Sequence, residues 1–265
     1  MIPAVHIVSG APHEATSISI KKTYGTQLPF IGDSGQSYYS EPSYTFNQWV
    51  GVQCIHTEFI VSPHLTGSHI ESARHVIGDG KSIQDAIGAY RKPLDARHVK
   101  IKAEHVYIDQ IESQNGIVTF LFSSGDTYTL ISKEPVLAFP TEFVLTKSQL
   151  SAALGDFKEK TVLICFVGHE ESIHNWPYLT NEAVEFLVEK GVEVIGTNIP
   201  SFDRESDGGL ASNHKKFFTD QRRIIVESLK LEQAPKGSVT LLLNPEPLYD
   251  GCQDATPCDP IIVIN

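Results

Sequence analysis

Sulfur and indole side chains are scarce in this chain of 265 residues, which has 4 Cys, 1 Met and 2 Trp. The cysteines, Cys54, Cys165, Cys252 and Cys258, form no CxxC pair, so neither a thiolate zinc site nor a thioredoxin-type redox motif is expected. Cys54 and Cys165 lie in apolar runs and read as small buried hydrophobes. Cys252 and Cys258 bracket QDATP and are close enough for a local bridge, but without a secretory context reduced thiols are the expectation. Positive charge is also short: 21 Lys+Arg against 32 Asp+Glu give a net charge of −11. No basic cluster stands out, which argues against nucleic acid and anionic membrane as partners. No apolar stretch approaches the roughly 18 residues of a membrane span. The start, MIPAVHIVSGAPHEA, has no basic n-region or apolar h-region, so no signal peptide is expected and the cytoplasm is the expected compartment. GxSxG, GxGxxG and Walker A motifs are missing, which removes the usual serine-hydrolase and nucleotide-binding readings. No repeat period appears, so solenoids and propellers are not expected.

What is abundant is histidine, at 11 residues, the commonest metal ligand and the usual acid–base near neutral pH. A 41% hydrophobic and 20% charged composition is that of a globular protein with a substantial core. Residues 1–49 are polar and rich in Gly, Ser, Pro and Tyr and read as an irregular segment. From residue 50 the chain reads as one α/β domain with a mixed sheet, so the expected organisation is a single domain over 1–265. VGVQCIHTEFIVSPH predicts a long strand, and HVYIDQI, GIVTFLFS and VLAFPTEFVLT further strands. Thr146 is placed as N-cap of a helix over KSQLSAAL. TVLICFVG reads as a strand covered on both faces. TNEAVEFLVEKG reads as a helix closed by Gly191, and VEVIGTN as the next, parallel strand. DQRRIIVESLKLEQ predicts a last helix; SVTLLLN and PIIVIN read as closing strands.

The densest chemistry is in SPHLTGSHIESARHV, which holds His64, His69, Glu71 and His75. In an extended chain His69 and Glu71 share a face because side chains alternate. His64 has the opposite parity and joins them only if Thr66-Gly67 makes a bulge or turn. Two imidazoles and a carboxylate suit Zn²⁺ or a similar borderline ion, and His75 is close enough for an acid–base role. A second candidate loop follows VEVIGTN, at the carboxyl end of a strand where α/β sheets bind ligands. It carries Asp203, Asp207, the pair Gly208-Gly209 and His214, and Glu227 follows on the expected last helix. The ordinary alternative for each of these residues is a solvated surface turn.

HLTGSHIESARH resembles the metal motif, usually HxGTHxDxPxH, of the cyclase family, which includes bacterial kynurenine formamidases and isatin hydrolases. YLTNEAVEFLVEKGVEVIGTNIPSFD, SNHKKFF, VESLKLEQAPKG and DATPCDPIIVI resemble later segments of that family in the same order, over roughly residues 50–265. The resemblance implies a swivelling β/β/α fold with a mixed sheet, often dimeric. It also implies one or two divalent ions, Zn²⁺ or Mn²⁺, on His64, His69, Glu71, His214 and Glu227, with His75 as proton carrier. The implied activity is hydrolysis of a small-molecule amide of the arylformamidase type, with N-formylkynurenine as the default substrate. The sequence departs from the family pattern in the extra residue after His64, in Glu71 where Asp is usual, in Ser68 for Thr and in Ala73 for Pro. The aromatic that formamidases supply from the N-terminal region has only Trp49, Tyr38 and Tyr39 as candidates. The rival reading is a non-catalytic binder of a small molecule or metal on the same scaffold.

Overall fold

Four parallel strands, three of them buried along their whole length, form the centre of the molecule. In the computed structural model, Leu94–Ile101, Thr161–Phe166, Val194–Thr197 and Ile224–Glu227 run parallel, side by side. The structure describes residues 9–10, 13–17, 38–39, 43–47, 52–56, 59–60, 64, 67–131, 141–168, 175–205, 210–245 and 254–264, with side chains for 64, 67–129, 141–168, 175–205, 210–245 and 254–264. All six residues of Thr161–Phe166 are buried, as a strand covered on both faces should be. Antiparallel strands extend this core into a mixed sheet of 10 strands. On one side lie Gly237–Leu242, Ile261–Val263, His13–Ser17 and Ser9–Gly10; on the other lie His69–Glu71 and then Ala255–Pro257. A second sheet of 5 strands contains Thr127–Ile131, Ile117–Phe122, Glu104–Gln114, Thr141–Leu145 and Tyr178–Leu179. With the helices, this makes the mixed α/β fold that the sequence leads one to expect.

The helices follow local signals. Thr146 accepts from the Gln149 N–H, and the Gln149 side chain answers the Thr146 N–H, a complete capping box at the start of Lys147–Leu154. Thr180 caps Asn181–Glu189 by accepting from the Ala183 N–H, and Gly191 follows at φ 74°, a conformation glycine adopts without strain. Ala183, Val184, Phe186 and Leu187 are buried and pack with Leu150 and Leu154 against Val162, Ile164 and Ile195.

Alternation across the sheet decides where the chemistry faces. Ile70 and Val226 point into one apolar layer, while Ile195 and Ile225 point into the other. By the two-residue period, His69, Glu71 and Glu227 therefore share the second face.

Three expectations need correction. The segment around Glu227 is not a helix: Ile224–Glu227 is a strand in which every residue is buried. A helix would bury one stripe, whereas a β-branched run held between Val194–Thr197 and His69–Glu71 is buried on both faces. The single long strand expected from residue 50 is instead two short ones, Val52–His56 and Phe59–Ile60, in separate pairs. Residues 1–49, expected to be irregular, contribute four short strands, one of which, His13–Ser17, pairs with Ile261–Val263 in the large sheet.

Gly80 is required by a close approach. A Cβ there would lie 2.8 Å from the carbonyl carbon and oxygen of Ala73 and 2.8 Å from the Ile77 carbonyl oxygen. These are backbone atoms of the turn that carries His75, so they cannot swing aside. Gly80→Ala is expected to cost about 1–3 kcal/mol, the usual scale of overpacking. The readout is a lower urea midpoint at unchanged slope.

Candidate metal centre

Three adjacent strands build the site. Register pairs Glu227 with His69 and Ile225 with Glu71, and on the other side Ala255 with Glu71. Gly67 has φ 129°, outside the range of most L-residues. That turn changes the parity of the chain, and His64 comes back to the cluster with Nδ1 2.7 Å from Glu71 Oε1. His69 Nδ1 lies 2.9 Å from the Gly67 carbonyl oxygen. A carbonyl only accepts, so Nδ1 carries the proton and Nε2 is turned inward, 3.1 Å from Glu71 Oε1 and 3.6 Å from Glu227 Oε2.

His214 arrives from the short helix Ser212–Phe217, and Asp203 fixes its ring. One oxygen of Asp203 accepts from the Asn213 N–H, and the other faces His214 Nδ1. His214 Nε2 is thereby turned inward, 2.7 Å from Glu71 Oε2 and 3.5 Å from Glu227 Oε1. Glu227 in turn accepts from the Phe202 N–H. Phe202 and Phe218 wall the His214 ring, with centroids at 5.8 and 6.0 Å. Behind this wall Arg204 donates to Glu142, as does the Tyr178 hydroxyl; these three buried groups tie the Asp203 loop to the second sheet.

All the residues predicted from the HLTGSHIESARH segment, together with His214 and Glu227, therefore meet in one place. His64, His69 and Glu71 form one convergent donor group, and Glu71, His214 and Glu227 a second, with ligand atoms of each group within 4.8 Å of one another. A third group, His64, His75 and Asp254, adjoins them. Asp254 was not foreseen. Its only local signal was an acidic residue just before a closing strand, and its partners are set by strand register across the whole chain. Asp203 was visible in its loop, but its hold on His214 was not. Asp207, the Gly208-Gly209 pair and Trp49 fall outside the described residues, as do the side chains of Tyr38 and Tyr39.

The electrostatics are those of two buried carboxylates among imidazoles. Burial pushes the Glu71 carboxyl up, but the charges of His75, His214 and His64 outweigh it and hold Glu71 well below its ordinary value. Burial and the neighbouring Glu71 charge push Glu227 up. Burial works against protonated His64, but Glu71 and Asp254 prevail and raise it to about 10. His69 is raised to about 9 by hydrogen bonds to Glu227 and Glu71, again against burial. His214 rises well above its usual value because Asp203 and Glu71 overcome its burial.

These shifts give a sign. Imidazoles whose folded pKa is raised contribute stability that is complete below the unfolded value of about 6.5 and lost as pH rises through the folded values. Metal-free protein is therefore expected to lose thermal stability between about pH 7 and pH 10, and the check is a series of melting curves on chelator-treated protein. A melting temperature that is flat over that window would count against the protonated cluster.

The donor set suits a divalent cation. It is all nitrogen and oxygen, and the inward nitrogens of His69 and His214 have their outer nitrogens held by oxygen acceptors, the usual arrangement around a ligating imidazole. The ion-pair partners of Glu71 and Glu227 among the described residues are all histidines. A divalent ion would balance the two carboxylates without requiring those imidazoles to be charged.

Comparison with known proteins gives a family and a shared fold. Residues 18–204 match the Cyclase family ("Putative cyclase"). A kynurenine formamidase of Bacillus cereus is 25% identical over 197 residues, 74% of this chain and 75% of that protein. One from Erythrobacter litoralis is 35% identical over 94 residues, 36% of this chain and 42% of that protein, so the match spans less than half of that relative. Among solved structures, isatin hydrolase A of Labrenzia aggregata, bound to benzyl benzoate, superposes with TM-score 0.59 at 13% identity over 95% of this chain and 94% of its own. A potential metal-dependent hydrolase with cyclase activity reaches TM-score 0.61 at 14% identity, covering 96% of this chain and 98% of its own. These two likenesses show a shared fold. Among the described residues no helix is long and apolar enough to cross a membrane.

Proposed function

This chain belongs to the Cyclase family, and on that premise we propose that it is a metal-dependent hydrolase of small-molecule amides, with aryl formamides as the substrate class. The observation that carries the reading is that two donor groups, His64, His69 and Glu71 and then Glu71, His214 and Glu227, adjoin through Glu71. Those five residues are the proposed ligands, and Zn²⁺ or Mn²⁺ the proposed ion. A divalent ion supplies Lewis-acid polarisation of a carbonyl and acidification of water.

The chain's own residues account for the rest. Glu71 and Glu227 are 2% and 3% exposed, whereas His75 is 32% exposed and Asp254 44%. Substrate therefore reaches the site from the His75 side. His75 Nε2 lies 3.9 Å from Glu71 Oε1, at the border between the buried donors and the opening. A proton taken from water at that nitrogen can pass to the amide nitrogen as the C–N bond breaks, work suited to an imidazole. Phe202 and Phe218 keep water from the inner side of His214. N-formylkynurenine is the proposed substrate because kynurenine formamidases are among the relatives, with formate and a free aryl amine as products. The same reading places the enzyme in the cytoplasm as a homodimer.

The test is a hydrolysis assay with N-formylkynurenine, formyl-anilides and cyclic amides, run before and after dialysis against a chelator. Hydrolysis that disappears with the chelator and returns with Zn²⁺ or Mn²⁺ is the expected result. Chelator-resistant hydrolysis, or metal-loaded protein inert towards every amide tried, would overturn the proposal.

A further inference from the structure

The group His64, His75 and Asp254 lies just outside the five proposed ligands. Asp254 Oδ2 is 3.0 Å from His64 Nε2 and 3.5 Å from His75 Nδ1. One carboxylate oxygen thus faces a proposed ligand and the proposed proton carrier at once. The two rings are stacked, with centroids 4.3 Å apart and planes inclined by 28°. The backbone holds the arrangement in place. Ser72 N–H and the Ser72 hydroxyl both donate to the Asp254 carbonyl oxygen, at 2.9 and 3.1 Å. Ser72 is the residue from which the turn Ala73–His75 starts. The carboxylate and the turn that presents His75 are therefore one tethered unit, although they are 179 positions apart in the sequence.

We propose that Asp254 is a positioning residue for proton transfer, fixing the tautomer of His75 while it holds the His64 ring in place. An ionised carboxylate only accepts hydrogen bonds. The nitrogens facing it, His64 Nε2 and His75 Nδ1, must carry protons. The opposite nitrogens, His64 Nδ1 and His75 Nε2, are then the ones turned toward Glu71, at 2.7 and 3.9 Å. Without Asp254 the His75 ring is free to place its proton on the inner nitrogen, which costs it its lone pair at the position where the proton is exchanged. A longer contact at His75 than at His64 is in keeping with catalytic hydrogen bonds that tighten when substrate binds. An isolated, half-exposed carboxylate–imidazole pair would contribute little. Here two stacked rings share one oxygen whose backbone is itself hydrogen-bonded to the same turn.

The kinetic arm of the test rests on the amide-hydrolase reading; the spectroscopic arm does not. In ¹⁵N spectra of the metal-loaded wild-type protein, His75 is expected as the Nδ1–H tautomer, and in Asp254→Asn as a mixture. Kinetically, Asp254→Asn is expected to lower kcat about 10–100-fold, the usual effect of removing a carboxylate behind a working histidine. KM should stay within about 3-fold, because substrate binding is not what is lost, and bound metal should stay at the wild-type level. In a His75→Ala background the same change should have no further effect on kcat, since the two residues act through one ring. Asp254→Glu should recover part of the loss. A wild-type His75 in the Nε2–H tautomer would overturn the proposal, even where Asp254→Asn fails to fold. So would an unchanged kcat in Asp254→Asn, or a loss of activity that only follows loss of metal. The expected tautomers in a protein that hydrolyses no amide would leave the positioning role standing and sink the hydrolase reading instead.

Discussion

Glu71→Ala is expected to leave a folded protein that retains no divalent ion through dialysis and hydrolyses amides at least about 10³-fold more slowly than the wild type, the scale of an ion's contribution to stabilising charge in the transition state. The reason is geometric. Glu71 Oε1 meets His64 at 2.7 Å and His69 at 3.1 Å, and Oε2 meets His214 at 2.7 Å. Among the described residues no other group touches all three imidazoles, so its removal separates the two donor groups that it joins. It also leaves those imidazoles without their shared counter-charge. Metal-free Glu71→Ala should therefore hold the protons of these histidines less tightly than the metal-free wild type, and its melting temperature should change less between about pH 7 and pH 10. Retained metal together with retained activity would show that the centre lies elsewhere.

The second large effect is expected at His75, and it should look different. His75→Ala removes a ring that stacks on His64 and touches Glu71 only at 3.9 Å. Metal content should persist, while kcat falls by about 10²–10⁴, the range for loss of a positioned acid–base. KM should move little, because the ring acts after substrate is in place. Small external imidazole should return part of the rate through the space left behind. A His75→Ala enzyme with wild-type kcat would remove the proton-transfer role and with it the positioning role of Asp254.

How much of this was legible in the sequence depended on whether a residue's partner was near or far along the chain. The side-by-side placement of His69 and Glu71 followed from strand alternation alone. The return of His64 followed from recognising that Gly67 could turn the backbone, and φ 129° there is the physical reason. Thr146 and Gly191 marked helix ends because caps act within a few residues. Glu227 was correctly singled out but placed on the wrong element. Polar and charged residues on both sides of IIVE mimic a helical period, and only the neighbouring strands reveal that all four residues are buried. Leu94–Ile101 was missed as a strand because Arg97 and His98 interrupt its apolar pattern, yet His98 is fully buried, with Nδ1 2.6 Å from the Pro235 carbonyl oxygen. Asp254 and Asp203 could not be assigned from sequence spacing. Their roles exist only because register brings Ala255 opposite Glu71 and because a buried carboxylate anchors the start of Ser212–Phe217.

The central claim is that the buried imidazoles and carboxylates form a cation site, and the most direct measurement is a calorimetric titration of chelator-stripped protein with Zn²⁺ at pH 7, in two buffers of different ionisation enthalpy. Because His64 and His69 are raised to about 10 and about 9 without metal, binding must displace protons. The account predicts saturable uptake of one or two ions per chain, with net proton release seen as a buffer-dependent heat, and loss of both in Glu71→Ala. No saturable uptake, or uptake that is unchanged in Glu71→Ala and releases no protons, would contradict it.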